Sequence, residues 1–490
     1  MSAPTTTPTT SGFDRWFELT KRGSTYSREI RGGLVTFFTM AYIVVLNPLI
    51  IGTAKDINGL YVGGTDDVVK AITMVSAATA LVAGLLTILM GAIGRFPMAV
   101  AAGLGLNGFV AFTLAPQMTW ADAMGLVVLE GILILILVLT GLRSAVFVAV
   151  PEQLKYAIGV GIGLFITVIG LVDAGITRPG VPLISFGVFG ELQGWPIFTF
   201  VFGLLLTAVL VAKRVKGAIL IGILATTAFA IIVEAVAGVG PKNGPDGSVV
   251  NPTGWGLNVP AMPDQLIATP DLGLLGQFNL FGSFEAIGVV AALLAIFSLM
   301  LSDFFDTMGT AFGLATEAEL LDEKGQIPHF ESILVVDSIA AAAGGAASVS
   351  SNTSYIESAS GIGEGARTGI ASLMTGALFL IAMFFSPLVT IIPYEAAAPA
   401  LVIVGFLMMT QIRHIDFTDY EIGIPAFLTI ALMPFTYSIT IGIGAGFVSW
   451  TVIKIFMGKA REIHWLMWVV SLAFLFYFAI YPVELLLGVK

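Results

Sequence analysis

Apolar stretches long enough to cross a bilayer alternate with short polar connectors along nearly the whole chain. They fall near 33–52, 70–93, 98–113, 119–141, 152–173, 195–212 and 216–238. They resume near 286–308, 331–347, 355–363, 367–386, 397–411, 421–437 and 439–457. A hydrocarbon core about 30 Å thick is crossed by roughly 20 helical residues. The pattern therefore predicts fourteen transmembrane segments, seven on each side of GPKNGPDGSVVNPTGWGLNVPAMPDQLIATPD (240–271), which is rich in Gly, Pro, Asn and Asp and reads as a loop. A further apolar run, 464–487, fits either another span or a helix lying at the interface.

An odd number of spans per half inverts the second half relative to the first, the arrangement of many secondary transporters. Two segments carry the same suggestion. The third, RFPMAVAAGLGLNGFVAF, is interrupted by Pro97, Gly103, Gly105 and Gly108. The tenth, ASVSSNTSYIESASGIGEGARTG, is short and polar, with Gly361, Gly363 and Gly365. Each is third in its half, and each has a polar centre, Asn107 and Glu357. Paired, glycine-interrupted segments in matching positions point to a transport site. Non-helical backbone at that depth is tolerated only where it faces protein or a wet cavity.

Composition fits this picture. Of 490 residues 57% are hydrophobic and only 11% charged, with mean hydropathy +0.96, against about 25% charged residues in soluble domains. The absence of cysteine excludes disulfides and thiolate chemistry, and three scattered histidines make no metal cluster. No basic tract suggests nucleic acid, and the net charge of −10 resides largely in loops. The opening MSAPTTTPTTSGFDRW lacks the apolar core of a signal peptide and reads as a disordered tail. Arg15, Lys21, Arg22, Arg28, Arg31, Arg95, Arg143, Lys213, Arg214, Lys216, Lys324, Arg367, Arg413, Lys454, Lys459 and Arg461 fall on one side of the expected topology. Few basic residues, such as Lys55, Arg178 and Lys242, fall on the other. The positive-inside rule then places the N-terminus in the cytoplasm and the central loop outside.

The candidate chemistry lies inside the spans. In SLMLSDFFDTMGT, Asp303 and Asp306 are three residues apart and share a helix face flanked by Ser302 and Thr307. A carboxylate at mid-membrane costs at least about 2.5–3.5 kcal/mol, so this face points inward and is a functional candidate. A carboxyl that alternately holds and releases a proton suits a proton-coupled carrier, whereas a structural acid capped by a hydroxyl or an arginine is the plainer alternative. Glu357 follows SSNTSY, where extended backbone is expected to turn into a half-helix whose N-terminus presents free N–H groups. As an acceptor it can take two parallel N–H donors, which suits an amide-like edge such as that of a purine. A simple charge effect at a helix start is the alternative. Asn107, after GLGL, offers both a donor and an acceptor, for a ligand or as an N-cap. The neighbouring glycines would let backbone approach a flat ligand. Glu364 and Arg367 are expected to pair with each other on the cytoplasmic side, Glu130 to be structural, and Phe37, Phe38 and Tyr42 to be packing residues able to stack on a planar substrate. Glu317, Glu319, Asp322 and Glu323 read as a solvated face.

GGLVTFFTMAYIVVLNP, GLGLNG, SDFFDTMGT and NTSYIESASGIGEGARTG, in this order, resemble the AzgA-like purine permeases of the nucleobase–cation symporter (nucleobase–ascorbate transporter) superfamily. The likeness runs from about Arg28 to Gly458. It implies an all-α polytopic membrane protein with fourteen spans in a seven-plus-seven inverted repeat, whose broken third and tenth spans are each a short strand plus a half-helix. The implied division is a cytoplasmic tail (1–28), a first repeat (29–239), an external linker (240–283), a second repeat (284–458) and a C-terminal apolar segment (459–490). The core domain would be about 29–142 with 284–387, and the gate domain 143–239 with 388–458. The resemblance implies that Asn107, Asp303 and Glu357, with backbone at Gly105, Leu106, Tyr355 and Ile356, bind substrate, and that Asp303 and Asp306 couple the proton. It further implies inward movement of hypoxanthine, guanine or adenine across the cell membrane, no cofactor beyond the coupling ion (H⁺, with Na⁺ left open), and a homodimer through the gate domain. An anion carrier of the same architecture is the alternative, since half-helix N-termini attract anions, but two facing carboxylate positions argue against it. An intramembrane aspartyl protease needs its aspartates on facing helices, and these two lie on one; single buried acids in inverted repeats also favour a carrier over a channel.

Overall fold

The computed structural model describes residues 12–141, 149–180, 184–244, 248–262, 265–323 and 325–486, with side chains through 479. Residues 1–11, Arg143 and Lys324, all used in the expectations above, lie outside the described residues. The helices of the first half are α1 (Tyr26–Met40), α2 (Ile43–Ile51), α3 (Val68–Leu89), α4 (Leu104–Phe109), α5 (Trp120–Leu139), α6 (Glu152–Asp173), α7 (Trp195–Ala212) and α8 (Ala218–Ala237). Those of the second are α9 (Val289–Glu317), α10 (Phe330–Ala346), α11 (Ala359–Gly363), α12 (Gly369–Ala382), α13 (Tyr394–Met409), α14 (Tyr420–Thr436), α15 (Ile439–Phe456) and α16 (Trp465–Leu486). Strands β1 (Val100–Ala102) and β4 (Asn352–Ser354) pair with each other, and β2 (Thr177–Pro179) with β3 (Ile184–Phe186).

The chain is a predominantly helical, multi-pass membrane protein. Among the described residues, ten helical spans are long and apolar enough to cross a bilayer, including Tyr26–Ile51, which joins α1 to α2. Helices α10 and α14 have 17 residues each, and the expected third and tenth spans are broken. Starts are set by local polar chemistry. Asp67 accepts the Val69 and Lys70 amides ahead of α3, Thr119 and Asp122 form a capping box on α5, and Asp419 and Ser438 cap α14 and α15. Each cap satisfies amides that a helix end leaves unpaired.

The broken segments meet. β1 and β4 run antiparallel, with Val100 opposite Ser354, Ala101 opposite Thr353 and Ala102 opposite Asn352. Beyond each strand the chain turns into a short helix, α4 after Gly103 and α11 after the tight turn Ile356–Ser358. Two packing groups surround this crossing. One joins α5 to α10, and α12 to α1 and α3; the other joins α6, α7 and α8 to α13, and α14 to α6 and α15. Helix α4 lies against α6, bridging the groups.

Small residues let backbones touch where apolar burial gives no preference over lipid. A Cβ on Gly369 would stand 2.0 Å from the Gly91 carbonyl oxygen, and one on Gly131 would stand 2.3 Å from the Ala342 amide nitrogen.

One expectation changes and two details are added. The polar start is not featureless throughout: from Gly12 it forms a helical turn, Phe17 and Leu19 bury against Ile370, and Trp16 donates to the Ala92 carbonyl at 2.9 Å under the Arg95 guanidinium. The large apolar side chains at 13, 16, 17 and 19 supply the surface that the Ser-, Thr- and Pro-rich run 2–11 lacks. The connector between α6 and α7 holds the β2–β3 hairpin, which the hydropathy pattern did not show. The C-terminal run is a helix docked on α15, with Phe474 fully buried near Phe447 and the Thr451 and Ser471 hydroxyls 2.7 Å apart.

The glycine contact generates a test. Gly369→Val should cost about 1–3 kcal/mol by overpacking and lower the unfolding midpoint in detergent, whereas Gly363→Ala, with open space at its Cβ, should leave it unchanged.

Candidate functional site

The strand crossing sets the two polar centres on the short segments that follow β1 and β4. Asn107 lies within α4 rather than at its start: the cap position is Gly103, and the Asn107 amide donates to the Gly103 carbonyl at 2.8 Å. The capping alternative is thereby excluded. Its side chain is completely buried, and neither Oδ1 nor Nδ2 has a hydrogen-bond partner among the described residues. Leaving a buried donor or acceptor unpaired costs about 1–3 kcal/mol, so the Asn107 amide, like the equally unpaired Asn352 amide on β4, calls for a polar partner that the described residues do not supply.

Glu357 sits in the turn leading to α11, half-buried, and the Tyr42 hydroxyl donates to its Oε1. Tyr42 occupies the break between α1 and α2, which aims the ring inward at 2% exposure. It is thus a carboxylate-positioning group, a role the sequence reading did not give it. Phe37 instead packs edge-on against Phe379 at 5.0 Å. Of the expected lining, Ile356 is 52% exposed, whereas Tyr355 and Leu106 are buried, and the Tyr355 hydroxyl donates to the Ala102 carbonyl at 2.6 Å.

The two aspartates of α9 separate by environment. Asp306 is exposed, as are Gly309 and Gly313 one and two turns on, so this stripe faces an opening. It is near enough to Glu357 for the two carboxyls to interact electrostatically. Asp303 is fully enclosed, with neither oxygen hydrogen-bonded in good geometry. The Thr353 hydroxyl stands beside it and is 3.0 Å from that of Thr307. Behind them lie two more buried acids. Ser354 donates to Asp337 on α10 at 3.0 Å, and Ser351 to Glu130 on α5 at 3.3 Å. Asp337 was missed entirely. Its signal was an acid within the apolar run SILVVDSIAAAAGG, the kind of signal that drew attention to Asp303 and Asp306.

Gly105 packs against α6. A Cβ there would stand 2.4 Å from Ile162 Cγ2, so the missing side chain is what admits α6. The Glu364–Arg367 pairing fails. Glu364 binds Lys216 and, at 2.9 Å, Arg31; Lys216 above all, with Arg31, holds its carboxyl below the usual range. Arg367 donates to the Ile362 and Ala366 carbonyls, both at 2.7 Å. Gly365, at φ +98°, turns the chain between the two, so helical spacing does not apply. Glu29, buried on α1, accepts the Arg367, Thr368 and Ala371 amides and ties α1 to the start of α12.

The Xan_ur_permease profile, described as the permease family, matches residues 27–443. The chain belongs to this family. This permease is 36% identical over 471 residues to the guanine/hypoxanthine permease PbuG of Bacillus subtilis, covering 94% of this chain and 98% of that one. It is 34% identical over 475 residues to the adenine permease AdeP of Escherichia coli, covering 96% and 97%. Among solved structures it is similar to the murine solute carrier 26 member A9 anion transporter in its inward-facing state. That likeness has TM-score 0.58 at 12% identity, over 93% of this chain and 74% of the other, and shows the fold alone. The family and these relatives are transporters rather than enzymes.

The Gly105–Ile162 contact joins the half-helix of the site to the second packing group. Gly105→Ala in the permease should cost about 1–3 kcal/mol there and slow transport in proteoliposomes. Adding Ile162→Ala should restore the rate, and an unaffected Gly105→Ala rate would show that the contact does not limit movement.

Proposed function

We propose that this permease imports purine nucleobases, namely hypoxanthine, guanine and adenine, with protons and by alternating access. The observation that carries the reading is the orphaned, buried amide of Asn107 on one half-helix, with Glu357 at the start of the other. They offer a donor, a neutral acceptor and a carboxylate on the two short segments that follow the paired strands. A planar ring with a carbonyl or ring nitrogen on one edge and adjacent N–H donors on another satisfies all three. The relatives named as guanine/hypoxanthine and adenine permeases support the same substrate class. An anion carrier is less well matched, because the polar side chains at the two tips are an amide and a carboxylate, not a cation.

In this reading the chain has fourteen crossings in a seven-plus-seven inverted repeat, with an inside N-terminus and an outside central loop. The packing group built on α1, α3, α5, α10 and α12 is the moving core, about 29–142 with 284–387. The group built on α6, α7, α8, α13, α14 and α15 is the gate, 143–239 with 388–458, through which two copies pair as a homodimer. Asn107, Glu357 and Asp303 bind the purine, with the backbone around Gly105, Leu106, Tyr355 and Ile356, and Asp303 and Asp306 exchange the proton. Tyr42 holds the Glu357 carboxyl so that its free oxygen faces the ligand edge. The core then slides along the gate and opens the site to the cytoplasm.

The test is radiolabelled hypoxanthine uptake into proteoliposomes under an inward proton gradient. Unlabelled guanine or adenine should compete, and uracil should not. Glu357→Gln replaces half of the carboxylate's acceptor capacity with a donor. It should weaken hypoxanthine binding by about 1.5–3 kcal/mol, roughly tenfold or more; normal transport by this variant would remove Glu357 from the site.

A further inference from the structure

We infer that Asp337 holds the coupling proton during the transport cycle and exchanges it with Asp303 through the hydroxyls of Thr353 and Thr307. The inference rests on the reading of the protein as a proton-coupled purine importer and adds a residue lying behind the substrate site. Three observations carry it. Asp303 is fully enclosed, with the Thr353 hydroxyl beside it and no hydrogen bond in good geometry to either oxygen, so it is cut off from the opening that Asp306 faces. The Thr307 and Thr353 hydroxyls are 3.0 Å apart with no fixed donor; Thr353 stands beside Asp303 and Thr307 beside Asp337. Asp337, 2% exposed, is anchored by Ser354 on the strand that leads directly into Glu357.

A pair of hydroxyls whose donor sense is free is the simplest wire between two carboxyls. With the proton on Asp303, its O–H donates to Thr353, Thr353 to Thr307, and Thr307 to the Asp337 carboxylate. Transfer breaks and makes one O–H bond at each link, leaves Asp337 protonated and Asp303 ionised, and reverses the sense of the pair. No charge other than the proton moves. The surroundings suit this. The titratable groups facing Asp337 are Glu130 from α5 and Asp303 and Asp306 from α9. β1, β4 and the turn Met90–Gly94 contribute none, and α3 carries only Lys70, exposed in its first turn. None of these acids belongs to an ion pair among the described residues. A proton is therefore the charge-neutralising partner within reach. Because β4 carries both Thr353 and Ser354, any shift of this strand on substrate binding changes the spacing of the wire, which links occupancy to proton position.

The experiment compares two readouts in proteoliposomes of the full-length protein: hypoxanthine accumulation under an inward proton gradient, and exchange of labelled for preloaded hypoxanthine without a gradient. Asp337→Asn, which can neither take nor give the proton, should lose accumulation and its pH dependence while retaining exchange. Thr307→Val, which breaks the wire and leaves every acid in place, should do the same, and Thr307→Ser should restore accumulation. The thermal midpoint of each variant reports folding separately. Normal accumulation with an unchanged pH profile in Asp337→Asn would overturn the inference. So would joint loss of exchange and accumulation in both Asp337→Asn and Thr307→Val, which marks a structural role. Wild-type exchange without proton-driven accumulation would overturn proton coupling and this wire with it, while leaving purine recognition standing. Wild-type protein inactive in both readouts would overturn the purine reading itself.

Discussion

The antiparallel pairing of two three-residue strands at the centre of the protein is the constraint on which the rest depends. Extended backbone inside a membrane exposes amides and carbonyls that lipid cannot satisfy, each at a cost of several kcal/mol. β1 and β4 solve this jointly, and neither could alone. Their flanks are closed by side chains. Thr87 bonds both the Val100 amide and its carbonyl at 3.0 Å, Ser358 accepts the Ala99 amide at 3.0 Å, and Ser372 donates to the Phe96 and Met98 carbonyls at 2.8 and 3.0 Å. The serines and threonines of these otherwise apolar segments are therefore part of the backbone ladder. Because the two strands pair with each other, the two short helices can begin where the strands end, and Asn107 and Glu357 are carried there.

The same crossing explains how four acids come to lie so deep. Ser351, just before β4, donates to Glu130; within the strand Ser354 donates to Asp337, while its neighbour Thr353 turns to Thr307 on α9. Alternation along a strand sends successive side chains to opposite faces. One three-residue strand thus serves α10 on one face and α9 on the other. Helix α9 makes a comparable division within one turn, with Asp303 enclosed and Asp306 at an opening. Identical chemistry three residues apart is given two environments by a rotation of about 60° around the helix axis, the mismatch between three residues and a full 3.6-residue turn.

Much of this was legible in the sequence, and the physical reason is plain. Hydropathy fixes helix positions because length and apolarity are the conditions for crossing lipid, and glycine clusters beside Asn107 and Glu357 marked where helices could not continue. The misses share a different cause. Tyr42 and Glu29 act across the fold, on Glu357 and on the amides before α12, and a long-range partner leaves no local pattern. The Glu364–Arg367 pairing assumed continuous helix across Gly365, whose positive φ ends it. Asp337 and Glu130 carried the same local signal as Asp303. Each was an acid within an apolar run, and what set Asp303 apart was only a second aspartate nearby.

Gly105 shows how one substitution-sensitive residue can serve movement as well as recognition. Read locally, glycines before Asn107 give backbone freedom for a ligand; in three dimensions Gly105 and Gly108 face Ile162, Phe165 and Ile169 on α6. The half-helix that carries the orphaned amide is therefore in direct van der Waals contact with the other packing group. Glycines against apolar side chains have no hydrogen bonds to break at this contact when one group moves past the other. Polar contacts are concentrated instead within the crossing, on the β1, β4 and α9 side of Asn107. The division puts directional bonds where geometry must be preserved and featureless contact where it must change, which is what a site carried by one body along another requires.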